Sequence, residues 1–160
     1  MLSKSEIQLN GHPPGLLNST TESKMSEIVP EQLDKRRTLN TLKILITDDD
    51  IVSGKLILAM LKRISKQILI VTSGKEAIET CRDHTDIDLI LMDIAMPQMN
   101  GYEATRLIRQ FNKEVIIIAQ TSLALARDIE DALAAGCDDH IPKPISGQEL
   151  ILMIQKYFGS

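Results

Sequence analysis

The sequence predicts an α/β fold of the (βα)5 type: a doubly wound, parallel five-stranded sheet in a three-layer αβα sandwich, preceded by a polar tail. Three observations support this. From Leu42 onward, short apolar runs alternate with segments of helical period, which is the pattern of βα units. The runs are β-branched and nearly continuous in apolar character, as strands covered on both faces should be. At 160 residues, 43% of them hydrophobic, the chain has room for one full core and a tail.

Strands are expected at 42–47, 68–72, 87–92, 115–120 and 139–142. Right-handed crossovers then give the flavodoxin-like order 2-1-3-4-5. The first helix, 51–65, is broadly apolar, has Asp50 as its N-cap and ends in the basic pair Lys62-Arg63. Ser73-Gly74 opens the second, with Ser73 and Glu76 spaced as a capping box and Ala77, Ile78 and Cys81 facing inward. In the third, Tyr102 to Phe111, the inward stripe is Ala104, Leu107, Ile108 and Phe111. Leu125, Ile129, Ala132 and Leu133 form the stripe of the fourth, which Gly136 closes in a left-handed cap. Leu150, Met153, Ile154 and Tyr157 serve the fifth.

Residues 1–40 differ: Ser, Thr, Asn, Pro and Lys dominate, and no period persists. They read as a flexible tail or linker, or as a docking segment, with the domain at 41–160. EQLDKRR, after Pro30, suits one or two helical turns. The acceptor pattern at Asn18 carries no weight without a secretion signal.

A formal charge of −4, no Trp, and only two Tyr and two Phe argue against nucleic acid as a partner. Apolar runs such as IDLILM fall far short of the roughly 20 residues that span a bilayer. No membrane contact and a cytoplasmic location are the expectation. Cys81 and Cys137 lack CxxC spacing and read as free, buried thiols.

Four reactive groups follow strands: Asp48-Asp49, Asp93, Thr121 and Lys143-Pro144. In a doubly wound sheet those strand ends share one rim, where ligands gather. Adjacent carboxylates raise each other's pKa unless a cation neutralises them. An all-oxygen donor set selects a hard ion such as Mg²⁺, with Mn²⁺ as a substitute, and Mg²⁺ is commonly shared with phosphate oxygens. A carboxylate can act as nucleophile and form an acyl phosphate. Lys143 then supplies a point charge and Thr121 a hydroxyl donor to the remaining oxygens.

ILITDDD, DLILMDIAMPQMNGYEATRLIR, IIIAQTS and AGCDDHIPKPIS together resemble the receiver domain of two-component response regulators, over residues 42 to about 158. The resemblance implies Asp93 as phosphoacceptor, Asp49 as a direct Mg²⁺ ligand, Asp48 as its acidic neighbour and the Ala95 carbonyl as a further ligand. It implies Thr121 as the switch hydroxyl, Lys143 as the phosphoryl partner, and a cis bond before Pro144. Pro97 and Gly101 would shape the loop after Asp93, the glycine by turning the chain sharply.

The chain departs from the family at three places. His140 stands where relatives carry Tyr or Phe: either a pH-responsive reporter or a plain surface residue. Ala95 and Leu123 stand where polar side chains often help water attack the acyl phosphate, so slow self-dephosphorylation is expected.

By resemblance, a histidine kinase or histidine phosphotransfer protein donates the phosphoryl group. Output then runs through the face of the fourth helix, fifth strand and fifth helix, near Arg127, Asp128, Asp131 and His140, toward a protein partner or a homodimer. No turnover substrate is expected. The chain reads as a stand-alone receiver or as one excised from a hybrid kinase. Two other classes compete: an aspartate-nucleophile phosphatase of the haloacid dehalogenase type, using Asp48 in a DxD with Asp50, and a phosphorylation-independent interaction module.

Overall fold

Lys43–Thr47 and Leu89–Asp93 are buried at every position, as strands covered on both faces require. They are β1 and β3 of the computed structural model, which describes residues 39–122 and 125–159. The remaining strands are β2 (Gln67–Val71), β4 (Ile116–Thr121) and β5 (Asp139–Pro142). The helices are α1 (Ile51–Leu61), α2 (Gly74–Asp83), α3 (Gly101–Phe111), α4 (Ala126–Ala135) and α5 (Gly147–Phe158). All strand pairs are parallel, in the order β2-β1-β3-β4-β5, as expected.

Alternate side chains of the sheet feed two core layers. One joins Leu45, Ile90 and Ile117 to Ala77, Ala104 and Ile108 of α2 and α3. The other joins Ile46, Leu91 and Ile118 to Ile57 of α1 and Leu150 and Ile154 of α5. Cys81 and Cys137 are free and buried, as predicted, and burial pushes the Cys81 thiol up to about 11.

Several expectations are corrected. β3 and β4 run one residue further than predicted, so Asp93 and Thr121 are the last residues of their strands rather than the first beyond them. α1 stops at Leu61 instead of 65; beyond it the Ile64 amide and the Ser65 hydroxyl both donate to the Leu61 carbonyl at 2.9 Å and satisfy that terminal acceptor. Leu125 and Leu133 are 60% and 53% exposed; of the expected stripe Ala132 is buried, and Ala135 joins it. Phe111 is 41% exposed, with the Arg82 guanidinium 5.1 Å from its ring centroid. The box at α2 is half formed: Ser73 accepts from the Glu76 amide, but the Glu76 carboxylate accepts from Thr72. Asp50 does cap α1, accepting from the Val52 amide at 3.0 Å, and Gly136 does close α4 at φ 106°. The predicted tail up to residue 38, including EQLDKRR and Asn18, lies outside the described residues, as does Leu123.

Candidate functional site

The chemistry-bearing residues lie at one rim of the sheet because β1, β3, β4 and β5 are parallel and end together. Asp48 follows β1 and is fully buried, and its Oδ1 accepts the Asp50 amide at 2.9 Å. Asp93 ends β3, is 2% exposed, and accepts the Ala95 amide at 3.1 Å. Lys143 reaches in from beyond β5, its Nζ standing 3.0 Å from Asp48 Oδ2 and 3.3 Å from Asp93 Oδ2. Its backbone amide donates to the Thr121 carbonyl at 2.7 Å, which ties the end of β4 to that of β5. The peptide bond between Lys143 and Pro144 is cis.

One carboxylate oxygen from each of Asp48, Asp49 and Asp93 lies within 4.8 Å of the others. Two of these carboxylates, Asp48 and Asp93, share the Lys143 ammonium. Burial raises the Asp93 carboxyl above its ordinary range, Lys143 pulls it back, and the Asp48 charge pushes it up again. Burial lowers Lys143, but its bond to Asp48 and the charge of Asp93 outweigh this and raise it. An all-oxygen set with excess negative charge fits a small, hard divalent cation and gives zinc no nitrogen or sulfur. The Thr121 hydroxyl, at the end of β4, is buried with no hydrogen-bond partner among the described residues.

In the loop after Asp93 the Gly101 amide donates back to the Ile94 carbonyl at 3.0 Å. Gly101 begins α3 and is not among the glycines with positive φ; that conformation falls on Gln98, at φ 67°. Gly101 is needed for room, since a Cβ there would drive into the Asp93 carbonyl and lie 2.9 Å from the Ile94 Cα. The pair Asn100 and Glu103, which the sequence reading passed over, forms the reciprocal cap of α3. Its signal was present as Asn-x-x-Glu ahead of an apolar stripe.

Away from the rim, Arg127 is 90% exposed and lies 4.0 Å from Asp131 on its own helix, a pair of little energetic weight. His140 is half-buried, its Nδ1 3.8 Å from Asp139 Oδ1. Asp139 also accepts from Lys156 at 2.7 Å and from the Tyr157 hydroxyl at 3.0 Å. Asp50 caps α1 and is not part of the cluster formed by Asp48, Asp49 and Asp93.

The response regulator receiver domain family matches residues 44–155, and the chain belongs to that family. It is 36% identical over 131 residues to hybrid signal transduction histidine kinase G of Dictyostelium discoideum, covering 78% of this chain but only 4% of that protein. It is 36% identical to the receiver domain of sensor histidine kinase PA1611 from Pseudomonas aeruginosa PAO1, solved with magnesium coordinated in its active-site cleft. The TM-score there is 0.67, over 74% of this chain and 98% of that one. It also resembles, at 27% identity and TM-score 0.69, a chain of the Saccharomyces cerevisiae co-crystal structure of the phosphotransfer protein Ypd1 with the receiver domain of Ssk1. That match covers 76% of this chain and 91% of that chain. No described helix is long and apolar enough to cross a membrane.

Proposed function

We propose that the chain is a phosphorylation switch that accepts a phosphoryl group on Asp93 from a phosphohistidine of a histidine kinase or phosphotransfer protein. The observation that carries this is the convergence of Asp48, Asp49 and Asp93 within 4.8 Å, with Lys143 3.3 Å from Asp93. An Asp93 oxygen attacks phosphorus, the phosphorus–nitrogen bond to the donor breaks, and the imidazole departs with the bonding electron pair. Asp48, Asp49 and Asp93, with the Ala95 carbonyl, would hold Mg²⁺, or Mn²⁺ in its place. Bound there, the ion shields the incoming oxygens and favours in-line transfer.

Lys143 then pairs with the phosphoryl oxygens, and the Thr121 hydroxyl, which has no partner among the described residues, donates to them. These movements bias the α4–β5–α5 face, where Arg127, Asp131 and His140 lie, for a protein partner or a second copy. The chain changes its own state and turns over no separate substrate. Residues 41–160 form the receiver unit, 1–40 serve as a tail or linker, and the protein works in the cytoplasm.

Acetyl phosphate with Mg²⁺ tests the reading by intact-mass spectrometry. One acid-stable, base-labile phosphoryl adduct is expected on the wild type and none on Asp93→Asn. Labelling of Asp93→Asn at the wild-type rate would overturn it.

A further inference from the structure

Gln120 is fully buried near the end of β4, yet neither its Nε2 nor its Oε1 has a hydrogen-bond partner among the described residues. A buried carboxamide with nothing to bond is costly, and an apolar side chain of the same length would avoid that cost. Its place in the sheet is specific. Gln120 stands in register between Asp93 on β3 and Ile141 on β5, and in-register neighbours of a parallel sheet share a face. Along β4 and β5 that face also carries apolar Ile116, Ile118 and Ile141 and, beside Ile118, Asp139, whose carboxylate is already bonded to Lys156 and Tyr157, which leaves Asp93 as the polar neighbour one strand away. The Gln120 carbonyl accepts the Ile94 amide at 3.2 Å, just after the phosphoacceptor. Next in the chain is Thr121, whose hydroxyl is also buried without a partner among the described residues and whose carbonyl holds the Lys143 amide.

We infer that Gln120 is a positioning residue of the switch: its carboxamide is unpaired in this arrangement of the rim and gains a partner in the arrangement that follows loading of Asp93. The polar side chains at this rim, Asp93, Lys143 and Thr121, are the ones whose bonding a phosphoryl group rearranges. A group unpaired in one state and paired in the other biases the equilibrium toward the second by the difference. The inference rests on the phosphoacceptor reading and names a further residue that regulates the same site.

The test uses Gln120→Met on the full chain, with two readouts: thermal unfolding without ligand, and affinity for beryllofluoride with Mg²⁺ by calorimetry. The melting temperature should stay level or rise, while the affinity falls about tenfold, about 1.4 kcal/mol. A variant that loses stability but binds as the wild type does overturns the inference, because the amide is then an ordinary core group holding a water. A variant equal to the wild type in both respects overturns it too. So does an affinity loss matched by a stability loss, which reports a damaged fold. If Met unsettles the core, Gln120→Leu is measured, and unchanged affinity of the folded protein overturns the inference. If the wild type itself fails to bind, the phosphoacceptor reading falls and the inference with it. If the wild type binds, Asp93→Asn does not and Gln120→Met matches the wild type, the inference alone falls.

Discussion

The Lys143 ammonium lies closer to Asp48 Oδ2, at 3.0 Å, than to Asp93 Oδ2, at 3.3 Å. Without a metal ion it is the charge that holds two buried carboxylates together. Lys143→Met should therefore cost about 1–3 kcal/mol of stability in metal-free buffer, part of the penalty for a buried charge left unpaired, discounted because the lysine is partly exposed. Millimolar Mg²⁺ should restore much of the loss. Urea unfolding with and without Mg²⁺ decides it, and a variant as stable as the wild type in metal-free buffer would refute it.

Asp93 carries the opposite sign. Burial and the Asp48 charge hold its carboxyl above the ordinary value of 3.8, despite Lys143. The folded chain thus takes up this proton at higher pH than the unfolded chain. Stability contributed by this group falls as pH rises through the window above 3.8, and the charged form is a cost at neutral pH. Asp93→Asn should raise the melting temperature by a few degrees at pH 7 without metal, with the gain shrinking toward pH 4. Added Mg²⁺ should stabilise the wild type and the variant much less. A lower melting temperature for metal-free Asp93→Asn would contradict this.

Gly101 has no room for a methyl group, because the Asp93 carbonyl and the Ile94 Cα occupy the space. Both obstacles are backbone, so neither swings aside. Gly101→Ala should destabilise by about 1–3 kcal/mol and displace Asp93. Slower labelling by acetyl phosphate should accompany the lower unfolding midpoint. Normal labelling together with normal stability would show that the loop yields freely.

Ala95 is exposed at the mouth of the site and offers no polar side chain to attacking water. The aspartyl phosphate should persist for minutes or longer, and Ala95→Asn should shorten its life several-fold. Phosphate release within seconds from the wild type would count against this, whatever Leu123 contributes from outside the described residues.

Much of the site was legible in the chain because the relevant signals are local. Asp48, Asp49, Asp93, Thr121 and Lys143 stand at the ends of apolar runs, and the parallel topology that brings such ends together follows from the alternation of those runs with helices. Leu125 and Leu133 were misjudged because spacing along a helix defines a stripe but not its outward limit. Two alanines, Ala132 and Ala135, let α4 pack through a narrower face that excludes both leucines. At Gly101 the structure adds to the expected turn a close approach to the Asp93 and Ile94 backbone, which a glycine's letter does not reveal.

The sequence by itself determined the number of strands, their order and the chemical identity of the rim, since periodicity and side-chain type are properties of short segments. Only the tertiary structure decided which carboxylate Lys143 bonds more closely, that Gly101 yields its space to the Asp93 carbonyl, and that Gln120 is buried without a partner among the described residues. Each depends on register and close packing between segments far apart in the chain, where differences of a few tenths of an ångström separate a hydrogen bond from an orphaned group.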